Sequence, residues 1–273
     1  MMYKKSNVVV GLTTVNTEML QISVPALGRL RQKFTLVIYN DNPMVALSRR
    51  QIRKLGYCGD LQIINGTENI GTARARMAVV DAAIDAGIRP EWIIFCDDDD
   101  MLVDLSVPDV SNDNFAVIQN AIVIRHRICD LLRAMDNATD MDADGENIEL
   151  ARPNVGFAGT LMRWHVVRAM FDEMRKIIDA IQKIDDGLEW RAPVDAMMWS
   201  FMNIFAKHEN PNAVPIYMDK INYVKNKIDT PRIKYGKLAM PLRNPEEHWR
   251  RVISRYNAVM NATLDAAALR GDD

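Results

Sequence analysis

The 273-residue sequence predicts an α/β fold, a mostly parallel sheet flanked by helices with a helical C-terminal elaboration. Three observations predict it. Apolar runs of strand length alternate with amphipathic helical stretches through roughly the first 100 residues, the pattern of right-handed crossovers onto a parallel sheet. The run Trp92-Ile93-Ile94-Phe95-Cys96 is apolar at every position, as a strand buried on both faces must be, and it leads into four consecutive aspartates, Asp97 to Asp100. Near the other end, Asn244-Pro245-Glu246-Glu247 supplies a cap residue, a first-turn proline and two acids facing the helix dipole, so a final helix starts there.

Taken in order, Asn7 to Val15 reads as the first strand, and Leu20, Val24, Leu27 and Leu30 at helical spacing predict a helix to about Arg31. Thr35 to Tyr39 is the second strand. The turn residues Asn40-Asp41-Asn42-Pro43 place Asp41 at its carboxyl end, and a helix over about 45–55 follows. Leu61 to Ile64 forms a short third strand. After a loop from Asn65 to Gly71, Thr72 is placed to cap an Ala-rich helix that stops at Gly87, and Trp92 to Cys96 is the fourth strand. The second half predicts a strand over Phe115 to Ile124, a helix over Arg127 to Met135, an acidic loop from Asp136 to Glu149, the Gly-containing stretch Asn154 to Thr160, and helices over about 164–183 and 194–207. Residues 1–110, 111–245 and 246–273 therefore divide into two halves of one domain and a C-terminal helix.

Composition narrows the class. Hydrophobic residues make up 48% of the chain, enough for a real core, and a formal charge of -2 excludes a globally basic, histone-like binder. Cys58, Cys96 and Cys129 are widely spaced and odd in number, so they read as free thiols of a reducing compartment. Polar residues from Thr13 onward interrupt any signal-peptide core, and no apolar run approaches the roughly 20 residues of a membrane helix. A soluble cytoplasmic protein without a membrane span is the expectation.

Four adjacent carboxylates at a strand end repel one another unless solvent or a cation neutralises them, and hard oxygen donors select Mg²⁺ or Mn²⁺. The ligand crevice of an open α/β sheet lies at that same carboxyl edge. No P-loop, H-E-x-x-H, paired C-x-x-C or G-x-S-x-G is present, which removes those chemistries. Asp140-x-Asp142-x-Asp144-Gly145 begins a calcium-loop pattern, but Ala151 stands at its twelfth position, and a solvated loop is expected instead.

Four stretches resemble, in order, the nucleotide-sugar glycosyltransferases of the GT-A fold, in particular the bacterial family 2 enzymes. Thr13-Thr14-Val15-Asn16 is similar to T-x-Y-N, and Asp41-Asn42-Pro43 to D-(G/N)-S. Asn69 to Arg76 is similar to N-x-G-x-(A/S)-x-A-R, and Asp97 to Asp100 to D-x-D-D. The resemblance covers about residues 7–102 well and 155–200 loosely. It implies a GT-A-like, Rossmann-like sheet and a transferase that moves a sugar from a nucleotide-sugar, most simply a UDP-sugar, to a hydroxyl acceptor. Thr13 and Asp41 would hold base and ribose, and Arg74 and Arg76 would face the donor phosphates. Asp97 and Asp98 would contact the donor, and Asp97 and Asp99 would hold the Mn²⁺ or Mg²⁺. Asp195 would be the general base at a helix start, with Asp185, Asp186 and Glu189 as alternatives, and His208 or His248 would add a metal ligand.

From Lys220 to Arg243 seven basic residues face only Asp229, with Tyr223 and Tyr235 between them. A lid over the diphosphate, a groove for an anionic acceptor such as DNA, and a solvated tail all fit. Two other readings stay open. One is a haloacid-dehalogenase-like phosphatase with Asp97 as nucleophile, although Met101 departs from its motif. The other is a nucleotide- or nucleic-acid-binding module without turnover.

Overall fold

A computed structural model describes residues 8–124, 148–149, 153–154, 156–184 and 194–226. The chain divides into two compact units, residues 1–168 with 191–230 and residues 169–190 with 231–273. The acidic run Asp97 to Asp100 lies in the first. Its strands are β1 (Val8–Thr14), β2 (Thr35–Asn40), β3 (Asp60–Asn65), β4 (Trp92–Asp97), β5 (Met101–Leu102), β6 (Asn114–Ile124), β7 (Ile148–Glu149), β8 (Leu161–Arg163) and β9 (Val214–Asn226). The sheet order is β3-β2-β1-β4-β8-β6-β9-β5, with β7 paired to β6.

The expected α/β class is met. β3, β2, β1 and β4 pair in parallel, and β9 runs parallel to β6. Antiparallel pairing of β8 with both β4 and β6, and of β5 with β9, makes the second half mixed. Val9, Val10, Leu12, Leu36, Val37, Ile38 and Ile93 are all fully buried, so the central strands are covered on both faces as their uninterrupted apolar runs require.

The helices are α1 (Leu20–Arg29), α2 (Arg49–Lys54), α3 (Gly71–Asp85), α4 (Trp164–Ile184) and α5 (Val194–Glu209). α3 ends as expected, with Gly87 at φ 70° just past its C-terminus, a left-handed turn that suits glycine. α2 starts later than expected. Asn40 donates to the Val45 carbonyl at 2.5 Å, while Asn65 accepts from the Leu47 N–H at 2.7 Å and donates to its carbonyl at 3.0 Å. Those bonds hold 45–47 out of the helix, and a Ser48–Gln51 capping box begins it.

β9 was not expected, because its lysines belong to the basic segment for which a lid, an anionic groove or a solvated tail was expected. Its buried positions are nonetheless Asn222, Tyr223 and Val224, and Tyr223 is fully buried. The expected helix over 127–135, the 140–145 acidic run and the final helix from Asn244 lie outside the described residues. No described helix is long and apolar enough to cross a membrane.

Candidate functional site

Parallel strands in register end together. Thr13 pairs with Tyr39 on one side and Asp97 on the other, so Thr13, Thr14, Asp41 and the aspartates share one carboxyl edge. The aspartates form a turn in which the Asp100 N–H bonds the Asp97 carbonyl at 3.3 Å.

Three sets of bonds fix that turn. The Thr14 hydroxyl donates to Asp98 Oδ2 at 2.5 Å, and the Asn16 N–H supports the same carboxylate. Arg76, 1% exposed, places Nη2 2.9 Å from Asp97 Oδ1 and lies over the Phe95 and Phe157 rings at 5.8 and 5.5 Å. From β9, the Tyr223 hydroxyl accepts the Asp97 N–H at 3.0 Å, and the Asn226 N–H donates to Asp100 Oδ1 at 2.8 Å.

Behind the turn, the Asn154 to Thr160 loop packs against Tyr223. Gly159 sits at φ 80°, and a Cβ there would come within 2.7 Å of the Tyr223 ring, so only glycine fits.

Asp41 is 1% exposed and accepts the Ile70 and Gly71 N–H groups at 2.7 and 3.0 Å. It therefore caps α3 from a neighbouring strand. Thr72, the expected cap, does not: the N-cap position is Ile70 and makes no side-chain cap bond.

The acidic turn carries its charge at a cost. Burial pushes the Asp98 carboxyl up to about 7, with Asp99 and Asp97 adding to the shift against the Thr14 and Asn16 bonds. Burial and then Asp97 push Asp99 up to about 6. Burial, Asp97 and Asp99 hold Asp100 well above the carboxylate range.

A carboxyl whose folded pKa is raised binds more protons folded than unfolded, so its stabilising contribution is full below the unfolded value and is lost as pH rises through the folded one. The metal-free protein should accordingly melt at a higher temperature at pH 6 than at pH 8, and Asp98→Asn should flatten that dependence. Scanning calorimetry of both proteins across that range checks it, and equal melting temperatures at both ends would refute it.

The expected site residues separate. Thr13 is half-buried at the strand edge, and Arg74 is half-buried on α3. Arg76 is buried and pairs with Asp97 at 2.9 Å. Asp195 falls in the first turn of α5, its side chain outside the description. Asp185, Asp186, Glu189 and His248 lie outside the described residues.

His208 is not brought to the acidic turn. It is exposed in the last turn of α5, just before Asn210, which bonds Asp113 at 2.8 Å, and Val214, whose N–H bonds Asp113 at 3.0 Å. β6 and β9 both begin there, and they run parallel to β4, so His208 lies toward the opposite end of the sheet from Asp97.

Among the described residues no three His, Cys, Asp or Glu side chains converge on one point. The Asp97 side chain is 35% exposed and Asp98 and Asp99 are half-buried, so three carboxylates reach the surface of the turn, of which Asp98 is already held by the Thr14 hydroxyl. That suits a hard cation that takes its remaining oxygens from phosphate and water.

Thr14, Asn16, Tyr223 and Asn226 were missed. Thr14 lay inside the recognised Thr13-Thr14-Val15-Asn16 stretch and could have been chosen over Thr13, since alternate strand residues face opposite sides. Tyr223 and Asn226 carry no local signal, being 126 residues from Asp97 and Asp100.

No protein-family model matches the chain, and no curated protein matches it in sequence. Among solved structures it is similar to S. aureus TarS 1–349, at 13% identity over 81% of this chain and 60% of that one, TM-score 0.48. It is also similar to a nucleoside-diphosphate-sugar pyrophosphorylase from Vibrio cholerae RC9, at 13% identity over 81% and 92%, TM-score 0.41. A third is the glycosyltransferase GlyE of Streptococcus pneumoniae TIGR4, at 12% identity over 78% and 44%, TM-score 0.35. The chain thus spans 60% of the TarS chain and 44% of GlyE.

Proposed function

We propose that the chain is a metal-dependent glycosyltransferase, moving a sugar from a nucleotide-sugar, a UDP-sugar first, to a hydroxyl acceptor. One observation carries this reading: four stretches scattered over residues 13–100 converge at a single carboxyl edge around a carboxylate turn. Bound Mn²⁺ or Mg²⁺ would act as a Lewis acid that neutralises the departing nucleoside diphosphate.

The chain's own residues do the positioning. Asp97 and Asp99 hold the cation, Thr13 lines the edge, and Arg74 is the guanidinium for the donor. Asp98 is fixed by Thr14 and meets the ribose. The Asp41 carboxylate, already steadied by two N–H groups, keeps lone pairs for a base N–H or a ribose hydroxyl. Lys220, in the described part of the basic segment, is not left for an anionic acceptor such as DNA, since it pairs with Asp104 at 2.8 Å.

A screen of UDP-, GDP-, CMP- and dTDP-sugars with Mn²⁺ by thermal shift, followed by assay of nucleoside diphosphate release, tests the proposal. Selective stabilisation by one nucleotide together with release of its diphosphate is the expected result. Stabilisation by none would end it.

Asp195 is proposed as the general base. Asp195→Asn should then depress turnover by roughly 10²-fold or more while nucleotide-sugar affinity stays at the wild-type value. Wild-type turnover in that variant would return Asp195 to a helix-start role.

A further inference from the structure

We propose that Lys225 is a cationic contact for the phosphate oxygens of the nucleotide bound at the acidic turn, an inference that rests on the nucleotide-sugar reading above. Two lysines of the basic segment are described, and they behave differently. Lys220 is spent on structure: its ammonium lies 2.8 Å from Asp104 Oδ2 and 2.9 Å from the Ser106 hydroxyl. Burial alone would raise Asp104, yet the Lys220 and Ser106 bonds bring its carboxyl below the usual value. Lys225 is half-buried and makes no hydrogen bond or ion pair among the described residues.

Its position is nevertheless tightly set. Tyr223 and Lys225 are two apart on β9 and share a face. The Tyr223 hydroxyl takes the Asp97 N–H at 3.0 Å, and the residue after Lys225 donates its N–H to Asp100 at 2.8 Å. Lys225 thus lies between a side chain and a backbone N–H that both bond the aspartate turn. Its ammonium lies against the loop behind that turn, 3.6 Å from where a Cβ on Gly156 would stand.

A half-buried lysine covers its stem and keeps its ammonium toward water, whereas Lys220 sets its ammonium on Asp104 and Ser106. Lys225 instead keeps its three donors uncommitted on the strand whose Tyr223 and Asn226 bond the aspartate turn. An incoming diphosphate adds further negative charge at a place where Arg76 is already committed to Asp97. A flexible lysine stem on a fixed backbone suits phosphate oxygens approaching that turn.

The test is calorimetric titration of wild type, Lys225→Gln and Lys225→Arg with UDP and with uridine, each with Mn²⁺, at low and high salt. Lys225→Gln should weaken UDP about tenfold to a hundredfold at low salt and flatten its salt dependence. Lys225→Arg should restore most of the affinity, and uridine should bind all three proteins alike. A Lys225→Gln protein with wild-type UDP affinity, or one that loses uridine and UDP equally, overturns the role of Lys225 and leaves the nucleotide-sugar reading standing. Wild-type protein that binds no nucleoside diphosphate with Mn²⁺ overturns both.

Discussion

Asp99→Ala should lose both cation and nucleotide binding while folding at least as stably as the wild type. Asp99 is half-buried, its carboxyl is raised by burial and by Asp97, and the hydrogen bond that lowers it comes from its own backbone N–H. Removing it relieves repulsion in the turn and breaks no bond to another residue. Its loss leaves Asp97 and the Thr14-bound Asp98 as the partly exposed carboxylates of the turn.

An octahedral cation held by two carboxylates depends on phosphate oxygens, so cation and nucleotide should bind with a positive coupling of about 1–3 kcal/mol. Calorimetry with UDP, with and without Mn²⁺, measures that coupling directly, and EDTA should abolish turnover that Mn²⁺ or Mg²⁺ restores. UDP affinity that is indifferent to Mn²⁺ and unchanged in Asp99→Ala would defeat the glycosyltransferase reading. A phosphatase using Asp97 would behave differently, since fluoroberyllate would attach to that carboxylate without any nucleotide.

What could be read from the sequence was local. β1, β2 and β4 are runs of consecutive apolar residues, and a parallel strand buried on both faces needs nothing else to announce it. Their common register then brings Thr13, Asp41 and Asp97 to one edge, which is why strand ends alone located the site. The site's supports were not local.

Tyr223 and Asn226 reach the aspartate turn from a strand whose half-buried Lys220 and Lys225 break its apolar pattern and disguised it. Asp41 was read for its carboxylate's affinity for a nucleoside, yet the same two oxygens also cap α3, and no spacing rule pairs a strand end with a helix start 30 residues later. His208 failed for a topological reason: a residue one short turn ahead of β9 must sit at the end where β9 begins.

Asp97→Ala should destabilise the protein by about 3 kcal/mol or more, far beyond any effect of Asp99→Ala. The reason lies in its partner. The Arg76 side chain is 2% exposed and its guanidinium is 2.9 Å from Asp97 Oδ1, so truncating Asp97 removes from a buried cation the carboxylate it bonds most directly. The Phe95 and Phe157 rings beneath it offset only part of that loss.

The reverse substitution is milder. Arg76→Met leaves Asp97 behind with a side chain 35% exposed, and water can solvate that carboxylate. The double variant Asp97→Ala with Arg76→Met should therefore be more stable than Asp97→Ala alone, with a coupling of about 1–3 kcal/mol in a cycle measured by urea unfolding. Equal midpoints for Asp97→Ala and Asp99→Ala would show that the ion pair is not a strut of the site. The cycle also decides how activity data must be read: lost turnover in Asp97→Ala reports a lost cation ligand only when the Arg76→Met background, in which no buried cation is stranded, shows the same loss.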